Sequence, residues 1–273
     1  MKGKRFLLIS HDIEPYTKQG KLAKVAHQII QYLHKQGSET RLFIPRFAKI
    51  NERKHRLHEV IRLSGVIVNI GEEEQPIVMK VATLPVSRSQ VYFLDNEDYF
   101  QRKAFMYDNK GKFFEDNHER FIFFNKGVVE IMQKLGWAPD VVYCHGWMSS
   151  LIPYYIRTSL KKNPMFKKTK FIYGYDREPA FEGEIGADFS INAKYKARIT
   201  KAVSAFLKEP TYNNINKIGL KYADGIVKYQ PEGDEEIEDF IENTAKAPVL
   251  EYADPASVKF LENFYEFFAK IAR

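Results

Sequence analysis

The sequence of 273 residues contains a single cysteine, Cys144. One cysteine excludes an internal disulfide and is typical of a reducing compartment. No stretch reaches the ~18 apolar residues that predict a membrane-spanning helix. The apolar run after the basic N-terminal residues is only about four residues long, which is too short for a signal peptide. These absences predict a cytoplasmic protein with no membrane association.

A metal-ligand pattern is also absent from the sequence. No second histidine or carboxylate has ligand spacing with His145, the histidine that follows a predicted strand. We therefore expect no metal site, and nothing in the sequence points to a cofactor.

The composition is that of an ordinary soluble globular protein, with 44% hydrophobic and 28% charged residues. Its length fits one large α/β domain or two small ones. The 21 phenylalanines and 16 tyrosines favour a substantial aromatic core over a sugar-binding surface. The net charge of +7 is compatible with anionic ligands without identifying one.

A strand–helix–strand unit opens the chain. Phe6–Ile9 has the length of a buried parallel strand, and apolar residues at helical spacing follow from Leu22 to Leu33. The second strand is Arg41–Ile44. Because ligands bind at the carboxyl ends of parallel strands, the loop from Ser10 to Lys21 is the first predicted site.

The remaining elements follow from the same patterns. Short strands are predicted at 66–70, 77–83, 91–94, 141–144 and 171–173. Helices are predicted at 121–135, 149–158, 193–207 and 255–271. The basic segment from Arg46 to Arg62 is interpreted as a solvated excursion, with a nucleic-acid patch as the less favoured alternative.

Several runs resemble bacterial glycogen and plant starch synthases, which are retaining glucosyltransferases of the GT-B fold that use ADP-glucose. The first run is Ser10-x-x-x-Glu14-Pro15-Tyr16-x-Lys18-x-Gly20-x-Leu22. Others lie at 91–102, 116–124, 139–147 and 212–227. The resemblance covers about Lys4 to Tyr229, which corresponds to the N-terminal half of a synthase.

The resemblance implies a set of ligand-binding residues. In the family, the loop that contains Lys18, Gly20 and Lys21 lies against the sugar-nucleotide. The polar residues that follow the predicted strand at 91–94 are expected to line a glucan groove, and the strand end at 145–147 faces the acceptor side. The implied set is Lys18, Gly20, Lys21, Asp95, Asn96, Arg102, His145 and Trp147.

This chain departs from the family pattern at four cleft positions. Lys21 replaces the second glycine of the first loop, and Tyr143 replaces a histidine. Gly146 stands in place of an aspartate, and Gly174 in place of the histidine that contacts the donor sugar. We therefore assign no catalytic residue.

Three function hypotheses follow. The favoured one is a synthase-like protein of α-glucan metabolism that binds a glucan or ADP-glucose without transferring glucose. The second is an active glucosyltransferase completed by a partner chain that carries the other GT-B half. The third is an unrelated binder of anionic ligands.

The predicted organisation is one Rossmann-like α/β domain with an appended helix. The domain spans 1–230, an acidic connecting segment spans 231–254, and a helix at 255–273 docks on the domain. The apolar stripe from Val258 to Ile271 predicts that docking, because it needs an apolar surface to cover it.

Overall fold

The computed structural model describes residues 2–17, 21–176, 180–186, 188–194, 199–230, 234–251, 254 and 257–273. Within these residues the strands are β1 (Arg5–Ser10), β2 (Glu39–Pro45), β3 (His58–Glu59), β4 (Val66–Ile70), β5 (Glu73–Thr83), β6 (Gln90–Asp95), β7 (Val141–His145), β8 (Lys170–Tyr175), β9 (Gly225–Lys228) and β10 (Val249–Leu250). All the strands predicted from the sequence are confirmed, with ends shifted by a few residues.

Helices connect these strands. They are α1 (Lys21–Lys35), α2 (Glu52–His55), α3 (Glu97–Phe100), α4 (Asn117–Leu135), α5 (Leu151–Thr158), α6 (Phe189–Lys194), α7 (Lys201–Lys208), α8 (Tyr212–Lys221), α9 (Glu235–Phe240) and α10 (Val258–Ile271). Single 3₁₀ turns lie at Trp147–Ser149 and Pro164–Phe166, and a π-helical turn lies at Ile241–Ala245.

The strands form a mixed sheet in the order β10-β9-β8-β7-β1-β2-β6-β5-β3, with β4 paired to β5. Neighbouring strands from β10 to β6 are parallel, while β5 runs antiparallel to its partners. Parallel strands with helical crossovers bury both sheet faces. The predicted Rossmann-like α/β fold is confirmed.

Successive residues of β1 point to opposite faces of the sheet. Leu7 and Ile9 belong to a core cluster that also contains Phe121 of α4. Phe6 and Leu8 belong to a second cluster that contains Phe264 of α10. All four β1 side chains are almost fully buried, so the sheet is covered on both sides.

The helix predicted at 193–207 is wrong as a single element. Helix α6 ends at Lys194 and α7 begins at Lys201. Thr200 between them is extended, and its hydroxyl accepts a hydrogen bond from the Val203 amide at 3.4 Å. A threonine side chain that caps a new helix competes with continuation of the preceding one, and a pattern of apolar spacing does not detect this.

The acidic segment 231–254 does more than connect. It contains α9 and β10, and β10 extends the sheet by pairing with β9. The proposed domain boundaries themselves stay a prediction.

Helix α10 packs on the sheet through three phenylalanines. Phe260, Phe264 and Phe268 are at most 1% exposed. The Phe268 ring centroid lies 5.3 Å from that of Phe6 and 5.2 Å from that of Tyr143, whose strands are central in the sheet. Ser257 caps the helix by accepting from the Phe260 amide at 3.1 Å. The helix therefore completes the core on this face.

We expect Phe264→Ala to lower the free energy of unfolding by about 3–5 kcal/mol, because it removes a fully buried ring. Urea denaturation followed by circular dichroism measures this. Val258→Ala on the same helix is the control, since Val258 is 68% exposed and its loss should change stability by about 0.5 kcal/mol at most. A loss below about 1 kcal/mol for Phe264→Ala would contradict the docking.

Candidate functional site

The carboxyl ends of three central strands lie side by side. Ser10 of β1 is in register with His145 of β7, and His145 is in register with Gly174 of β8. The Gly146 amide donates to the Gly174 carbonyl at 3.0 Å. The His145 ring reaches the carbonyl of Leu22 at the start of α1. The described ends of these strands therefore meet at one rim of the sheet.

His145 is fully buried at this rim, and both of its ring nitrogens have partners. Its Nε2 lies 3.1 Å from the Leu22 carbonyl, which only accepts, so Nε2 carries the proton. Its Nδ1 then accepts from the Tyr229 hydroxyl at 3.0 Å. Burial lowers the His145 pKa to about 3, so the ring is neutral at physiological pH. A ligand could reach a ring nitrogen only if these partners moved.

Two buried tyrosines complete the cluster with His145. The hydroxyls of Tyr143 and Tyr229 hydrogen-bond to each other, and burial raises the pKa of both phenols. Tyr143 also contacts Phe264 and Phe268 of α10 edge-on. We call Tyr143, His145 and Tyr229 the tyrosine–histidine cluster.

Gly174 lies directly against this cluster. A Cβ added at Gly174 would lie 2.5 Å from the Tyr143 hydroxyl oxygen and 3.0 Å from Tyr229 Cε2. Neither neighbour is a flexible chain end, because both rings are buried. The space that a side chain at position 174 would need is therefore filled by Tyr143 and Tyr229.

Gly146 has a backbone conformation that favours glycine. Its φ is 85° and its ψ is 168°, a combination that only glycine adopts without strain. An added Cβ would find space, with its nearest neighbour, His11 Cε1, at 3.7 Å. The obstacle to another residue here is therefore backbone strain rather than crowding.

Trp147 and His11 lie on the opposite face of the sheet from the tyrosines. Trp147 is 3% exposed and stacks on Phe121 with ring centroids 5.4 Å apart. His11 stacks on Phe105 at 5.0 Å, and its ring is 6.3 Å from that of Trp147. Burial lowers the His11 pKa to about 4.

The polar atoms of this pair lack partners. Trp147 Nε1 and His11 Nδ1 are buried and make no hydrogen bond within the described part of the chain. Buried polar groups without partners are uncommon in native proteins and mark places where a water or ligand belongs. Trp147 was predicted from the sequence. His11 was missed, because the first motif, Ser10-x-x-x-Glu14, specifies no residue at its position.

Arg102 lies in a separate cavity of about 500 Å³. The cavity is lined by Arg102, Asp108, Lys112, Phe113, Phe114, Glu115 and Asp116. The Arg102 guanidinium makes two 2.6 Å bonds to the Asp116 carboxylate and lies 4.8 Å from the centroid of the Phe114 ring. Tyr107, 39% exposed, packs edge-on against Phe113 at 5.3 Å. Partly exposed rings beside fixed polar groups suit a sugar ring.

Asp95 and Asn96 are used by the fold. Asp95 is 3% exposed and accepts from Lys80 at 3.0 Å and from Gln101 at 3.1 Å. Asn96 caps α3 and donates to the Pro76 carbonyl at 3.0 Å. Because their side chains are committed to these contacts, ligand binding by either residue stays a prediction.

The first loop is only partly described. Lys18 and Gly20 lie outside the described residues. Lys21 is the first residue of α1, and its side chain is likewise not described. Ligand binding by these three residues stays a prediction. Among the described residues no group of three or more His, Cys, Asp or Glu could hold a metal ion. None of the helices in that part of the chain is long and apolar enough to span a membrane.

The sequence pattern of the starch synthase catalytic domain family matches residues 5–246. The chain belongs to this family. It is 40% identical over 169 residues to a glycogen synthase of Chlorobium phaeobacteroides, covering 62% of this chain and 35% of that protein. It is 32% identical over 232 residues to a glycogen synthase of Chlorobaculum parvum, covering 83% of this chain and 46% of that protein.

A solved structure shows the same fold. The catalytic domain of starch synthase IV from Arabidopsis thaliana, bound to ADP and acarbose, has a TM-score of 0.72 and 13% sequence identity. The match covers 93% of this chain and 52% of that chain. The chain spans about a third to a half of the length of the curated relatives it matches, and it fits the N-terminal half of a GT-B glycogen synthase.

The departures from the starch synthase pattern are linked in space. The resemblance predicts histidines at positions 143 and 174, where this chain has a tyrosine and a glycine. A Cβ at position 174 would collide with the Tyr143 hydroxyl, so Tyr143 fits only beside a glycine. The two substitutions are therefore one packing change.

We expect Gly174→Ala to lower the free energy of unfolding by about 1–3 kcal/mol, because it overpacks the tyrosine–histidine cluster. Adding Tyr143→Phe removes the nearest atom to the new methyl group. The double variant should then cost less than the sum of the single variants by at least about 0.5 kcal/mol. Chemical denaturation of the four proteins measures this, and strict additivity would refute the steric link.

We also expect the cluster to contribute to acid sensitivity. The folded protein does not protonate His145 until about pH 3, whereas the unfolded chain does so near pH 6.5. Stability is therefore lost as the pH falls from about 6.5 toward 3. His145→Asn removes this loss, so its stability deficit relative to wild type should narrow between pH 7 and pH 4. A deficit that stays constant in urea titrations across this range would contradict the assigned pKa.

Proposed function

We propose that this member of the starch synthase family acts in α-glucan metabolism by binding a glucan or ADP-glucose, and that its own cleft residues do not transfer glucose. The tyrosine–histidine cluster is the observation that carries this proposal. It fills the carboxyl ends of β7 and β8, where the family resemblance implies a polar group that contacts the donor sugar.

Loss of transfer follows from the chemistry that the cluster offers. Stabilising the charge that develops as the diphosphate leaves requires preorganised donors at the reacting centre. Gly174 has no side chain, and both His145 nitrogens are already used. Removing one preorganised donor typically lowers the rate by about 10²–10³. Catalytic groups act as a unit, so further losses need not multiply.

Binding is supported at two places that the cluster leaves open. One is the cavity beside Arg102, which Phe113 lines, with the partly exposed ring of Tyr107 packed against Phe113. The other is the pair His11 and Trp147, in which one buried nitrogen of each ring has no partner among the described residues. A ligand would reach these nitrogens only if neighbouring side chains moved. Planar aromatic faces and fixed polar groups can hold a sugar without any group positioned to react.

An active glucosyltransferase is the second candidate. In the GT-B fold the second domain supplies most of the nucleotide pocket, and this chain matches only 35–46% of the length of two glycogen synthases. A second GT-B half would be needed to position the donor, and positioning is worth about 7–11 kcal/mol of a barrier. A nucleic-acid role stays the less favoured alternative. The Arg46–Arg62 segment contains α2 and β3, and Arg46 within it is paired with Glu52.

A glycogen affinity column run beside a transfer assay tests the proposal. We expect the purified chain to be retained by glycogen and to incorporate no labelled glucose from ADP-glucose. Tyr107→Ala with Phe113→Ala should weaken retention about tenfold, since each lost ring contact is worth about 0.5–1.5 kcal/mol. Ile61→Ala, at an 84% exposed apolar position away from the cavity, is the control.

The outcomes separate the hypotheses. Incorporation of glucose by the chain alone would overturn the non-catalytic proposal. Incorporation that appears only after the second GT-B half is added favours the second candidate. If glycogen does not retain the chain, glucan binding is refuted. Direct titration with ADP-glucose then tests the other proposed ligand.

A further inference from the structure

A second cavity, of about 440 Å³, opens at the carboxyl ends of β1 and β2. It is lined by Pro15, Tyr16, Thr17, Lys49, Asn51, Lys54 and His55. Tyr16 belongs to the core cluster on the α10 face, whereas Trp147 belongs to the cluster on the other face. None of its lining residues lines the cavity beside Arg102. The two cavities are therefore separate, and a ligand here would not depend on the glucan-binding proposal.

The charge at the mouth of this cavity is positive and uncompensated. Lys49 and Lys54 are exposed, and neither forms an ion pair with a carboxylate among the described residues. Glu52 lies between them in sequence, but its carboxylate bonds to Arg46 and accepts from Lys80 at 2.7 Å. The acidic group closest along the chain is therefore engaged on another side.

Tyr16 lines the cavity and carries a neutral donor, its hydroxyl, which is itself buried. It is 5% exposed, and its hydroxyl has no hydrogen-bond partner among the described residues. Burial raises its pKa to about 12, so the phenol keeps its proton at physiological pH. The ring is held edge-on by Phe93 and by His55, each at 4.9 Å between centroids. The hydroxyl is thus fixed in place and lacks an acceptor within the described part of the chain.

We propose that this cavity binds a phosphate monoester, with Lys49 and Lys54 contacting the phosphate oxygens and the Tyr16 hydroxyl donating to the ligand. Ammonium groups bind phosphate as point charges, and charge-assisted hydrogen bonds are about twice as strong as neutral ones. The volume exceeds that of a phosphate group alone and falls in the range of small-molecule sites. A sugar or a similar small group attached to the phosphate therefore fits.

A small ligand fits this place better than a nucleic acid. Nucleic-acid binding needs a basic surface that follows many phosphates, often with stacked bases. Here the positive groups converge on a concave cavity, and the aromatic ring of Tyr16 is almost fully buried rather than available for stacking. A nucleic acid is therefore the alternative ligand, and the experiment must exclude it.

Isothermal titration of the full chain with inorganic phosphate and with glucose 1-phosphate tests this site. We expect Lys49→Gln with Lys54→Gln to weaken binding at least tenfold, and Tyr16→Phe to weaken it about threefold. Lys161→Gln with Lys259→Gln is the matched control, because both lysines are exposed elsewhere and the change in net charge is the same. Thermal melts of each variant establish that it is folded.

Each result supports or overturns the site. Saturable binding that the cavity variants weaken and the control pair leaves unchanged supports it. Tighter binding of glucose 1-phosphate than of inorganic phosphate identifies an ester as the ligand, while equal binding identifies the phosphate group alone. No saturation at 10 mM, equal loss in the control pair, or binding only to a single-stranded oligonucleotide overturns the proposal. If Tyr16→Phe fails to fold, the surface lysine variants decide.

Discussion

Hydrogen bonding at the carboxyl edge of β1, β7 and β8 fixes the arrangement on which the rest of the site depends. The Leu22 carbonyl holds the tautomer of His145, which in turn accepts from Tyr229. Because these groups are buried, each unpaired member would carry a large desolvation cost. The network therefore ties the start of α1 to β7 and to the residue that follows β9, and it makes this edge rigid.

The same tyrosines link the edge to the C-terminal helix. Tyr143 contacts Phe264 and Phe268 of α10 while its hydroxyl bonds to Tyr229. The residues that pack α10 on the sheet and those that fill the cleft thus belong to the same core cluster. A tyrosine at position 143 serves both because it combines a large apolar ring with a polar tip. This coupling explains why the cleft departs from the family pattern without loss of the fold.

The opposite face of the sheet has a different character. There His11 and Trp147 stack on phenylalanines, and Nδ1 of His11 and Nε1 of Trp147 have no partner within the described chain. Each of these buried nitrogens carries a desolvation cost, which a hydrogen bond to a water or ligand would offset. The rim therefore has buried polar atoms without partners on the side of His11 and Trp147, whereas the tyrosine–histidine cluster fills the other side.

The sequence by itself determined the longer strands and most of the helices, though not the break between α6 and α7, together with the family and the positions where the cleft departs from it. Apolar spacing and strand-end motifs are local, so residues such as Phe6–Ile9 and Val141–Cys144 reveal their structure directly. The sequence could not show that Asp95 serves an ion-pair network and that Asn96 caps a helix, so both were predicted as ligand contacts. Nor could it show that Tyr143 fills the space beside Gly174, or that Tyr16, Lys49 and Lys54 share a cavity. Those relations join residues far apart along the chain, and only the tertiary structure decides which side chains meet.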